Sequence, residues 1–139
     1  MYKICHISSV HMNDDVRIFK KECCSLSENG FEVYFVVSGE SFSKNGVSII
    51  GIGARPESRL RRLFWHSRKA VKVAMNIDAD LYHFHDPELL LYALKIKKAG
   101  KKVVFDSHEI YHYLIRQKPY FTKQIRNIVS LIYSLFEKH

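Results

Sequence analysis

Strand-length apolar runs alternate with stretches of helical period over most of this chain, and that alternation restricts the fold more than any other feature. Lys3–Ser8 reads as a first strand. Asp14 or Asp15 then caps a helix from about Val16 to Asn29, whose stripe is Val16, Phe19, Cys23 and Leu26, and Asn29-Gly30 closes it. Phe31–Val37 is a nearly continuous apolar run, the pattern of a strand covered on both faces. Gly39–Gly46 reads as a loop and Val47–Ile52 as a third strand. Pro56 opens a long basic helix to Ile77 with an inner stripe of Leu60, Leu63, Phe64, Val71, Ala74 and Met75. Asp80–His85 is a short strand, Asp86-Pro87 starts a helix that ends at Ala99-Gly100, and Lys102–Asp106 is another strand. A short helix follows Ser107 and a longer one spans 120–138. Short turns between alternating elements predict an α/β fold: a Rossmann-like parallel sheet with helices on both faces, joined by right-handed crossovers.

Composition sets the outer bounds. The 139 residues are 47% hydrophobic, enough for one domain with a real core and too apolar for global disorder. No run of 18 apolar residues is present to cross a membrane, and the N-terminus lacks the apolar stretch of a secretory signal. Cys5, Cys23 and Cys24 are odd in number and two are adjacent, so free thiols in a reducing cytoplasm are expected. The net charge of +8 is uneven: residues 1–54 carry five basic and six acidic side chains, residues 55–139 carry 17 and eight. The basic part therefore expects an anionic neighbour. Arg59, Arg61, Arg62 and Arg68 around Phe64 and Trp65 suit an anionic lipid surface, whereas no nucleic-acid motif accompanies the charge. A solvated outer face is the plainer reading of the same helix. The 120–138 helix is apolar around nearly its whole circumference, as in a helix that is buried or meets a partner.

Open α/β sheets bind ligands at the carboxyl ends of their strands. Three loops there are rich in His and Asp: Ser8–Asp15, His83–Asp86 and Asp106–Glu109. Each member also has a plain structural explanation. Asp86 suits an N-cap, Ser107 or Asp106 suits the next one, and His6 reads as structural. His83 and His85, two apart on a strand, share a face. Arg17 sits in a helix first turn, where a cation opposes the dipole, so it either pairs with Asp14 or Asp15 or faces a phosphate. His11 and His108 are the hardest to explain by packing. The first loop has no glycine, and neither G-x-G-x-x-G nor G-x-x-x-x-G-K-[ST] occurs, which argues against a dinucleotide or P-loop site. A zinc set of His83, His85, Asp86 and His108 is conceivable but weakly specified by H-x-H alone.

The stretch His11-Met12-Asn13-Asp14-Asp15-Val16-Arg17-Ile18-Phe19-Lys20-Lys21-Glu22, followed by Leu26 and Gly30, resembles the opening of retaining glycosyltransferases of the GT-B fold in family 4. Asp80-Leu81-Tyr82-His83-Phe84-His85-Asp86-Pro87-Glu88-Leu89 and Gly100–Glu109 resemble the next two signatures of that N-terminal domain, and the likeness extends over Lys3–Tyr111. It implies one Rossmann-like lobe over residues 1–139, the acceptor-binding half, with the C-terminal nucleotide-sugar-binding lobe absent and the half inactive alone. It implies catalytic roles for His108, His11 and Asp15, and acceptor-binding roles for His83, His85, Asp86 and Glu109. Ser9 and Arg17 would lie on a donor-facing loop, and Arg59, Arg61, Arg62, Trp65 and Arg68 on the membrane surface. No metal or other cofactor is implied, because basic side chains and helix ends neutralise the leaving diphosphate in this fold. The donor binds only with the second lobe. The implied partners are that lobe or subunit, a glycan or lipid-linked acceptor and an anionic membrane, placing the chain in the cytoplasm or on the inner face of the cell membrane. Two rival readings are a metal-dependent hydrolase using His83, His85, Asp86 and His108, and a non-catalytic subunit that scaffolds a partner glycosyltransferase.

Overall fold

Among the described residues, five of the six strands run parallel, in the order β3-β4-β2-β1-β5-β6. The computed structural model describes residues 1–106, apart from the side chain of Arg59. The helices predicted after Ser107 and over 120–138 lie outside the described residues, as do His108 and Glu109.

The strands are β1 (Lys3–Ile7), β2 (Glu32–Val37), β3 (Phe42–Lys44), β4 (Val47–Gly51), β5 (Leu81–Phe84) and β6 (Lys102–Phe105). Helix α1 is a wide π-wound segment, Val16–Cys23, continued by a regular one, Cys24–Glu28. Helix α2 joins Arg59–Arg61, a π-wound Arg62–His66 and Ser67–Asn76. Helix α3 starts as a tight 3-10 turn, Pro87–Leu89, and continues over Leu90–Lys98.

Alternation divides the strands between two faces. In-register Val33, Phe35, Val37, Val47 and Ile49 bury one face against Ile18, Phe19, Cys23 and Cys24 of α1. Their neighbours Cys5, Ile7, Val36, Tyr82 and Phe84 point the other way and are equally buried. There α2 packs on β1 and β2, and α3 packs on β6 and on α2. The apolar β2 run, Glu32–Val37, thus has the two-sided cover its composition predicts. The three cysteines are free and buried, and burial pushes the Cys5 and Cys23 thiols up, away from reactivity.

Two expectations are corrected. Part of the Gly39–Gly46 loop is strand β3, antiparallel to β4 at the sheet edge. Its three residues are all exposed, with backbone pairing and the Lys44 ammonium over the Phe19 ring holding it, and no apolar alternation marks it in the sequence. Where β3 folds back, a Cβ at Gly51 would stand 2.2 Å from the Gly39 carbonyl oxygen, so glycine is required there.

The inner stripe of the basic helix is also different. The first turn closes from Arg62 N–H to the Ser58 carbonyl, so the helix starts at Ser58, a favoured capping residue, and not at Pro56. Leu60 and Phe64 are 68% and 56% exposed, while His66, Ser67, Ala70, Val71 and Ala74 are buried. The π-wound turn at Arg62–His66 takes an extra residue per turn and rotates the buried stripe out of the phase that a 3.6 period predicts.

Candidate functional site

The chain leaves β1 toward β2 on one side and later returns to place β5 on the other side. The gap between the carboxyl ends of β1 and β5 is therefore the topological switch point, where sheets of this kind form a crevice. The first two sequence-predicted loops meet there.

Asp86 stands at the start of α3 with N-cap backbone geometry, yet its side chain makes no capping bond. The carboxylate turns instead into the β1 loop. Its Oδ2 accepts the Ser8 hydroxyl at 2.8 Å, the Ser9 amide at 2.6 Å and the Val10 amide at 3.2 Å. The Ser8 hydroxyl in turn accepts the amides of Val10 and His11. These convergent amides form the kind of concavity that holds phosphate in other Rossmann-like folds. Here a carboxylate from the same chain fills it and takes up the Ser9 and Val10 amides, so the loop holds its shape without glycine.

Ser9 is buried, and its hydroxyl donates to Glu88 Oε1 at 2.8 Å. Burial raises the Glu88 carboxyl above its ordinary range, with the Asp86 charge acting the same way and the Ser9 bond and Arg62 opposing it. At the end of β2, Ser38 lies 2.7 Å from His66 Nε2. Burial lowers the His66 pKa, and the nearby cations Lys69, Arg62 and Arg55 lower it further, so this imidazole stays neutral. Arg55 donates to the Val10 carbonyl and ties the loop from outside.

His11 lies on the rim with its side chain 31% exposed. Its Nδ1 is 2.8 Å from Asp15 Oδ2. A carboxylate only accepts, so Nδ1 carries a proton, and Nε2 lies 3.6 Å from a second carboxylate oxygen, Asp86 Oδ1. Asp15 is also the N-cap of α1: its Oδ1 accepts the amides of Arg17 and Ile18 at 3.0 and 2.9 Å. One carboxylate thus starts the helix and orients the imidazole. Burial alone would raise the Asp15 carboxyl, but the Ile18 amide, His11 and the Arg17 amide outweigh it and hold it below the usual range.

An expected result follows. A depressed folded-state value adds stability that is present above the unfolded carboxylate value of about 3.9 and is lost as pH falls through the lower folded value. Asp15→Ala should cost about 1 kcal/mol at neutral pH, the usual worth of such a cap. In urea titrations from pH 7 to pH 2 the gap between wild type and variant should close at the acid end. A gap that is constant with pH would separate the stability from the ionised carboxylate.

The remaining predicted residues divide. Arg17 does not pair with Asp14 or Asp15. Its guanidinium makes a short ion pair with Asp106 at the end of β6 and lies 3.6 Å from Glu22 Oε1. His85 and Asp86 are 1% and 3% exposed, so both lie beneath the surface and not on the rim. They support the loop from beneath. Asp86 faces the β1 loop, whereas His83 and His85 gather with His6 and Glu22, so the hydrolase set of His83, His85 and Asp86 does not form as expected. Arg61, Trp65 and Arg68 are exposed on α2, with Trp65 at 76%, but Arg62 turns inward to lie 4.0 Å from Glu88, off the expected membrane surface.

Sequence reasoning passed over His6 and Glu22 as site members, and it placed Asp106 in the third loop with no partner named. One signal was available: with β1 beside β5 in register, His6 pairs with His83.

A six-stranded Rossmann-like sheet with a His–Asp pair on the rim of its switch point defines the class: an α/β lobe built to present a ligand-binding edge. The family model for Glycosyltransferase Family 4 matches residues 18–138, most of the chain, and the chain belongs to that family, with the fold of an N-terminal GT-B lobe. No curated protein matches the chain in a sequence search. Among the described residues no helix is long and apolar enough to cross a membrane.

Proposed function

We propose that this chain is the acceptor-side half of a retaining glycosyltransferase that moves a sugar from a nucleotide-sugar donor to a polysaccharide or lipid-linked acceptor. Turnover in this reading requires a donor-binding lobe, on the same polypeptide or another. The observation that carries it is the His11–Asp15 pair, held on the half-exposed rim at the switch point of a family 4 lobe. A retaining transfer needs stabilisation of a sugar that gains positive character and of a departing phosphate. The His11 imidazole is placed on the rim to hydrogen-bond a sugar hydroxyl, and Asp15 fixes the orientation of the ring. Asp86, Ser8 and Ser9 hold the loop rigid beneath the pair. His108 and Glu109, outside the described residues, keep the catalytic and acceptor-binding roles that the family resemblance implies. The exposed Leu60, Phe64 and Trp65 beside Arg61 and Arg68 suit a membrane that carries the acceptor.

The test is saturation-transfer NMR on the chain alone, with oligosaccharide fragments and with nucleotide sugars. Glycan fragments should bind weakly, and His11→Ala should weaken them about tenfold, the worth of roughly one hydrogen bond. Nucleotide sugars should not bind. Tight nucleotide-sugar binding by this chain, or glycan binding indifferent to His11→Ala, would overturn the assignment.

A further inference from the structure

We propose that His6, Glu22, His83 and His85 form a binding site for one divalent zinc-type cation, which ties β1, β5 and α1 together beneath the rim. This goes beyond the acceptor-side reading and does not depend on it. Each residue contributes one ligand atom, and these atoms all lie within 4.8 Å of one another. Glu22 Oε2 is 3.7 Å from His6 Nδ1, 3.8 Å from His83 Nδ1 and 3.6 Å from His85 Nε2. Zinc at 2.0–2.1 Å from nitrogen and oxygen ligands separates tetrahedral neighbours by about 3.3 Å. The carboxylate-to-imidazole spacings need to close only slightly to reach that value. His6 Nδ1 and His85 Nε2, at 2.9 Å, share a proton, and a metal would replace it and move them slightly apart.

Three further observations support an ion at this place. Glu22 Oε2 is buried and accepts no hydrogen bond, with three imidazole nitrogens just beyond hydrogen-bonding reach. A buried acceptor left in that state is costly, and a cation at the centre would satisfy it. His6 and His83 stand opposite each other in register on β1 and β5, so the sheet itself brings two of the imidazoles together. An outer layer is also present. Asp106 Oδ2 lies 3.7 Å from the second ring nitrogen of His85, and Arg17 holds the other Glu22 oxygen at 3.6 Å. Arg17 opposes a cation, but Asp106 pairs with it directly, so the surroundings stay net negative once Glu22 ionises.

The donor set of three nitrogens and one oxygen suits zinc. His6 and His85 are fully buried, and all four ligands come from the protein, which fits a closed structural site with no open catalytic position. The cluster excludes Asp86, whose carboxylate belongs to the β1 loop. It therefore differs from the hydrolase set suggested by the H-x-H motif.

The experiment uses the full chain, stripped with a chelator and titrated with zinc by competition against a chromophoric chelator, and with cobalt(II) by visible absorption. One equivalent should bind, cobalt should give the intense bands of a four-coordinate site, and zinc should raise Tm. Losing an outer-shell partner costs a metal site roughly 10–100-fold in affinity, so Glu22→Gln or His83→Gln should cost at least about that much. Asp78→Asn, which removes a carboxylate from an 82% exposed position, should change nothing. Glu22 lies at the edge of the cluster, so its variant tests the site even where a histidine variant fails to fold. The proposal is overturned by a folded wild type that binds no stoichiometric metal, by octahedral cobalt spectra, or by affinity unchanged in folded Glu22→Gln.

Discussion

Replacing Asp86 with alanine is expected to lower the unfolding free energy by about 3 kcal/mol, among the largest effects of any polar substitution in this protein. The side chain is 3% exposed, and one of its oxygens collects the Ser8 hydroxyl and the Ser9 and Val10 amides. Alanine leaves these donors facing a void under a folded loop. Each hydrogen bond to a charged acceptor is worth about 1.5–3 kcal/mol net, and the loop recovers part of that by opening to water. Asn keeps one oxygen to accept but brings an NH2 group among donors, so Asp86→Asn should recover only about half of the loss. Urea denaturation gives the magnitude. Amide hydrogen exchange gives the location: Ser9 and Val10 should lose protection first, while β2 and β4 keep theirs. An alanine variant as stable as wild type would show that the loop is held by something other than this carboxylate.

The second large effect belongs to the core. Phe35→Ala should cost about 4 kcal/mol, the sum of lost transfer free energy and an unfilled cavity. Phe35 is fully buried, flanked in register by His6 on β1 and Ile49 on β4, and lies in the cluster with Ile18 and Phe19 of α1. Strands on three adjacent positions limit how far the site can collapse, which places the cost in the upper range. Phe35→Leu keeps most of the volume and should cost about 1 kcal/mol. The two variants should shift the urea midpoint without altering the slope, as expected of a native-state defect. A cost below about 2 kcal/mol for alanine would mean that α1 settles into the gap.

These two sites show which features local sequence can carry. Phe35 was legible because its strand declares itself by an unbroken apolar run, and cover on both faces follows from composition. A cap at Asp14 or Asp15 and the Asn29-Gly30 stop were legible because each rests on bonds that span a few residues; the structure selects Asp15. Gly30 has φ +85, a left-handed conformation that glycine accepts freely. The His11–Asp15 bond also spans only four residues, but the sequence reading named the two residues without pairing them.

Asp86 marks the other side of the division. Its position before Pro87 predicts a helix cap, and the backbone does adopt cap geometry, but the side chain has better partners 76 to 78 residues away. Three donors converging from β1 outbid the one or two amides of a short 3-10 turn, and no local rule ranks them. Arg17 behaves alike: its nearest acidic neighbours in sequence are passed over for Asp106, 89 residues on. The stripe of α2 went out of phase because one wide turn rotates everything before it, and winding is set by packing on the sheet as much as by residue type.

The amino-acid sequence alone therefore determined the layered α/β architecture, most strand positions and the family signatures, since period, caps and turns act within a few residues. Only the tertiary structure decided that Asp86 fills the anion cradle of the β1 loop and that His6 and Glu22 join His83 and His85. Those contacts depend on which strands become neighbours, and strand adjacency is a property of the assembled sheet.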